Sequence, residues 1–150
     1  MGSYADDALF MSRNNIEYVE LISDDGKSKV MVIPAWQGRV MTTSAAGDEG
    51  DSYGWINYSF IKKRQIDLQF NPVGGEERFW LGPEGGVFSL YFRQGEKQIY
   101  KNWKVPPVLD IEAFKIQSQS KNCICLTKEG CLTNACGTTF YLNIKRTISL

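Results

Sequence analysis

"IEYVELISDDGKSKVMVIPAW", residues 16–36, decides the fold class. One apolar run takes in Ile16, Tyr18 and the residues to Ile22, a second runs from Val30 to Ile33, and "DDGK" separates them. An Asp-Gly pair between two such runs is a hairpin signal, because glycine accepts the positive φ that a tight turn requires. Residues 16–22 and 29–34 are therefore expected to pair as a β-hairpin. Outward from it, "QGRVMTTSA" continues extended, with Gly38 marking a bulge or a close backbone approach. "AAGDEGDSYG", residues 45–54, is a polar, glycine-rich loop too short to link domains.

The rest of the chain reads in the same way. "WINYSFIKKRQ" fits either a short helix or an irregular apolar segment, and its basic run is a solvated edge or loop. "VFSLYFRQG" alternates Phe88, Leu90 and Phe92 against Ser89, Tyr91 and Arg93, as a half-buried strand does. "KQIYKNWKVPPVLD" is extended up to its proline pair, and "FKIQSQSK", "NCICLTKEG" and "GTTFYLNIKRTISL" are three more strands. Eight to ten short strands with hardly any helix make an all-β fold, an antiparallel β-sandwich. Residues 1–15 are a lead-in to one domain spanning 16–150. Alternation is still running at Leu150, which is expected of the N-terminal part of a longer sandwich whose C-terminal half would be its partner.

Composition narrows the function classes. The chain has 150 residues, 17 basic and 17 acidic, so neither a nucleic-acid footprint nor a basic membrane patch is expected. Histidine is missing altogether, which removes the commonest general acid, general base and metal ligand. The four cysteines, Cys123, Cys125, Cys131 and Cys136, lack the paired spacing of a zinc knuckle, so no metal is expected. Packed, reduced thiols are the reading, with a cross-hairpin bridge such as Cys125 to Cys131 as the alternative. "MGSYADDALFM" has neither a basic n-region nor an apolar core, so it is no signal peptide. A cytoplasmic location is the default, and an extracytoplasmic one applies if a leader has been removed.

"GGEERFWLGPEGG", residues 74–86, is the stretch that suggests chemistry. Paired glycines break the alternation at both ends, and the segment reads as a short strand between flexible corners. On a strand Arg78 and Trp80 share one face while Phe79 and Leu81 share the other, anchored in the core. A sugar site needs polar groups for hydroxyls and an aromatic face for the ring's C–H surface. Arg78, Glu76, Glu77, Glu84 and Asn71 supply the first and Trp80 or Trp55 the second, while Arg39 reads first as solvated, with a place in the same concavity as its alternative. The competing reading makes Arg78 a buried structural arginine paired with Glu76 or Glu84, and Trp80 plain core. Trp36 and Trp103 read as lids over the core.

Several motifs, in order, carry a resemblance: "VMVIPAWQGRVMTTSAAG", "GWIN", "FNPVGGEERFWLGPEGGVFSLYF", "NWKVPP", "LD" with "EAFKI", and "NACGTTFYLNIKR". Over residues 16–150 the chain resembles a bacterial family of uncharacterised proteins of the galactose-mutarotase-like β-supersandwich. "GRV" is similar to the early turn of aldose epimerases, and "GGEERFWLGPEGG" to the Gly-Gly, aromatic, Pro segment lining their sugar site. The resemblance implies a sugar or glycan as ligand, no cofactor, and an epimerase-like acid and base at the anomeric carbon. In true mutarotases the acid is histidine and the base a late glutamate. Here Tyr58 and Glu84 are the catalytic candidates that remain, so binding is the expectation. The alternatives are an aldose epimerase using those residues, or a structural half-domain with no ligand of its own.

Overall fold

A computed structural model describes residues 2–150. It contains six strands, in two antiparallel three-stranded sheets, and three short helices. The first sheet has the order β1-β2-β3, with β1 at Val19–Ile22, β2 at Lys29–Ile33 and β3 at Arg39–Ser44. The expected hairpin is there: Val19 faces Val32 and Ile22 faces Lys29. All five residues of β2 are buried, as suits a central strand, and its one charged residue, Lys29, pairs with Glu20 and Asp48. The second sheet has the order β4-β5-β6, with β4 at Lys115–Gln119, β5 at Cys123–Thr133 and β6 at Thr139–Ser149. These are the three C-terminal strands read from the sequence.

Gly38 makes a close approach rather than a bulge. Its φ is +63°, and a Cβ there would sit 2.4 Å from Leu126 of β5, so only glycine fits. The bulge falls three residues on, where the register skips Met41 between the pairs Met31–Thr42 and Val32–Val40. Arg146 of β6 fixes the same junction, donating to the Gly38 carbonyl at 3.2 Å and to Glu77 at 2.5 Å. One apolar cluster draws on both sheets, with Leu21, Val30 and Val32 from the first and Ile124, Leu126, Leu132 and Ile144 from the second.

The N-terminal lead-in is a helix, α1, Tyr4–Arg13. Ser3 and Asp6 form a reciprocal capping box at its start, and Arg13 occupies its last turn. Tyr4 and Met11, on one face, are fully buried in a second cluster with Met31, Ile33 and Met41. "WINYSFIKKRQ" resolves into α2, Tyr58–Lys62, capped by the Asn57 side chain, and the proline pair opens α3, Pro107–Asp110, instead of ending a strand.

Two expected strands do not form. In residues 74–86 the ladder contacts are two isolated bridges, Ile56 with Gly74 and Val40 with Glu77. Residues 87–95 spend their backbone groups on turns, such as Ser89 N–H to Gly86 and Leu90 N–H to Pro83. Alternation fails there as well, since Tyr91 and Phe92 are buried side by side while Phe88 is exposed. Aromatic stacking holds this segment in place of a ladder. Trp80 lies 5.1 Å from Tyr91, Tyr91 stacks on Trp103 at 5.6 Å and 6°, and Trp103 stacks on Tyr100 at 6.3 Å. Both Trp36 and Trp103 pack half-buried against apolar clusters, as lids do.

Candidate functional site

Asp110 is the hub of a buried polar cluster. Because Pro107 starts a helix of a single turn, the carboxylate at its end is delivered beneath residues 69–73. Asn71 donates to Asp110 Oδ2 twice, from its backbone N–H at 3.0 Å and from Nδ2 at 2.7 Å. Asp110 Oδ1 has a single contact, with Arg78 Nη2 at 3.5 Å. The backbone carbonyl of Asp110 accepts from Gln37. Burial raises the Asp110 pKa, against the hydrogen bonds from Asn71 and the charges of Arg78 and Arg39.

Two arginines lie behind it. Arg78 donates to the Leu109 carbonyl at 2.6 Å, and its guanidinium lies 4.1 Å from the centroid of the Trp80 ring. Its carboxylate partner is thus Asp110, not Glu76 or Glu84. Arg39, the expected solvated arginine, is 2% exposed. It donates to the Gly74 carbonyl at 2.6 Å and to Gln37 at 3.3 Å. A Cβ on Gly75 would come within 2.8 Å of the Arg39 side chain and one on Gly74 within 2.2 Å of the Trp55 carbonyl, which explains the glycine pair. Burial, with repulsion from Arg78, brings the Arg39 pKa down to about 10, so it stays charged at neutral pH. The Nε of each arginine is buried without a partner.

Asn71 and Asp110 line an open cleft of about 320 Å³. Trp36, Phe60, Ile61 and Val73 provide apolar walls, and Arg64 and Gln65 stand at its edge. An aromatic wall opposite a carboxylate and an amide can take the C–H face of a small polyol and its hydroxyls together. Of the candidate site residues named from the sequence, only Asn71 reaches this cleft. Arg39 and Arg78 support Asp110 from behind, and Trp80 is covered by Arg78 and Tyr91.

The remaining candidates lie elsewhere. Glu84 accepts from Trp80 Nε1 at 2.9 Å. Glu76 accepts from the Thr43 hydroxyl at 3.0 Å, and Trp55 is 64% exposed, its carbonyl bonded by Gly75 N–H. Tyr58 donates to Asp7, which is buried on α1 and accepts from Ser52 as well. Its pKa is pushed up to about 12, by burial first and then by Asp7, which makes it a poorer acid than an ordinary tyrosine. All four cysteines are free, and Cys125 and Cys131 stand on the same strand, about 20 Å apart by strand geometry, so the alternative bridge is excluded. Among the described residues no cluster of acidic or thiol side chains is arranged to hold a metal.

The sequence reading missed Asp110 as the hub, although "VPPVLD" carries a signal. An acidic residue directly after an apolar pair in a proline-started turn is carried inward with that pair. Arg64 was passed over as part of a solvated basic run.

No curated protein and no solved structure matches the chain. A family model does match, over residues 2–150, nearly the whole sequence, and carries no link to galactose-mutarotase-like proteins. The chain belongs to that family, described as a family of unknown function (DUF6786).

Proposed function

We propose that this chain is a carbohydrate-binding β-sandwich protein of mutarotase-like type that holds a sugar in the cleft over Asn71 and Asp110. The observation that carries the reading is the unspent capacity of Asp110. A carboxylate oxygen can accept two hydrogen bonds, and Oδ1 of this buried group has one long contact while its residue lines an open cleft. A sugar hydroxyl is the donor that suits it. Trp36 and Phe60 give the ring a surface, and the apolar cluster common to both sheets favours a sandwich. Arg78 and Trp80 act in this reading as positioning residues, holding Asp110 against the cleft. Anomeric chemistry has less support: Tyr58 bonds Asp7, Glu84 bonds Trp80, and neither lines the cleft.

Titration of the full chain with neutral hexoses, followed by amide and indole NMR shifts, tests the proposal. Saturable shifts at Trp36, Asn71 and Asp110 are expected, and Trp36→Ala should weaken binding about tenfold through loss of the stacking surface. Shifts that never saturate, or that gather only around Trp55, would refute the cleft.

A further inference from the structure

The edge of the cleft carries a cation with nothing to neutralise it. Arg64 lines the cleft beside Gln65, and among the described residues its side chain makes no ion pair and no hydrogen bond. The other charged group lining the cleft is Asp110, whose charge already faces Arg78 and Arg39. Any ligand in the cleft therefore meets both a compensated carboxylate and an uncompensated guanidinium. The backbone adds an independent reason to single out Arg64. It follows the end of α2 with a φ of +51°, its N–H bonded to the Ile61 carbonyl. That left-handed position after a helix is usually glycine, because a side chain there is strained. Arginine occupies it at a cost to the fold, where the turn borders the cleft.

Resting on the reading of the cleft as a sugar site, we propose that its ligands are acidic sugars, uronic acids or glycans ending in one. Arg64 would clamp the ligand carboxylate while Asp110 and Asn71 take ring hydroxyls. A guanidinium presents paired donors matching the two oxygens of a carboxylate, a geometry that a neutral hexose cannot use.

The test uses the full chain with glucuronate and galacturonate against glucose and galactose, measured by calorimetry or NMR at low and high salt. The uronates should bind about tenfold more tightly than the matching hexoses, as one charge-assisted contact provides. That margin should shrink as salt rises. Arg64→Gly should erase the margin, bringing the uronates down to the level of the hexoses, and keep or raise the melting temperature, since glycine relieves the positive φ. Arg64→Lys should retain part of the preference. Uronates binding no better than hexoses, or Arg64→Gly weakening both sugars alike, would overturn the acidic class while hexose binding in the cleft still stands. If no sugar binds the unaltered chain, the cleft reading falls and this one falls with it.

Discussion

Asp7 and Asp110 are both carboxylates with at most 5% of their surface exposed, and they are settled in different ways. Asp7 sits on the buried face of α1 with a hydroxyl on each oxygen, Ser52 on one and Tyr58 on the other, and Thr42 extends the chain of hydroxyls beyond Ser52. That cluster is closed: each oxygen has its donor, and Asp7 lines none of the clefts described. Asp110 is surrounded by cations and amides, one oxygen doubly bonded by Asn71 and the other nearly free, and it borders a cleft. Burial of an acid is therefore a poor pointer to a site. What separates the two is not the number of bonds accepted but that Asp110, with one oxygen short of a close donor, borders a space that a ligand can enter.

The strongest way to break this comparison is through Asp110 itself. Asp110→Ala leaves Arg78 and, behind it, Arg39 as buried charges without their carboxylate, and should destabilise by about 3–5 kcal/mol. Denaturant unfolding measures it. A loss near zero would mean that the arginines are neutralised by backbone carbonyls alone. Asp110→Asn retains an acceptor for the Asn71 donors and gives a folded variant for titration, in which sugar binding should be reduced.

Removing the closed carboxylate should cost less. Asp7→Ala strands two hydroxyls rather than two charges, and about 2 kcal/mol is expected. Sugar affinity should stay where it was. If hexose titrations with this variant were as weak as with Asp110→Asn, the distinction between the two acids would be lost.

The difference in what the sequence disclosed follows the same physics. Strand pairing announces itself through period and turn chemistry, so the hairpin at 16–36 and the three C-terminal strands were legible. Residues 87–95 mimic that period with Phe88, Leu90 and Phe92, yet the segment is fixed by stacking of Trp80, Tyr91, Trp103 and Tyr100, contacts between aromatics distant in sequence that no local pattern encodes. Helix α1 was legible in principle: "SYAD" holds its capping box, and Tyr4 and Met11 are one helical face apart. The candidate site was read in part. "GGEERFW" does contain the arginine that grips the hub, but its carboxylate comes from thirty-two residues further on, and Arg39 was misjudged because its burial depends on a loop folding over it. Long-range pairing of charges is what a single sequence hides.

The smallest effect is expected at Tyr58, and its pH dependence sharpens the account of the closed cluster. The hydroxyl is pushed up to about 12 by burial, by its bond to Asp7 and by the charges of Asp7 and Asp6, from an ordinary value of 10.0. Between those values the folded chain keeps a proton that the unfolded chain has released. The folded state binds more protons in that window, so the tyrosine's contribution is whole below about pH 10 and disappears as pH rises toward 12. Tyr58→Phe should cost about 1 kcal/mol at neutral pH, the net worth of one part-exposed hydrogen bond. Tyr4 and Tyr91, whose pKa values burial also raises, lose stability in alkali in both proteins, so the quantity to follow is the gap between wild type and Tyr58→Phe. That gap should hold constant up to about pH 10 and close above it. A gap that widens in alkali would mean that the Tyr58 phenolate is favoured in the fold, and that Asp7 is not the acceptor of its proton.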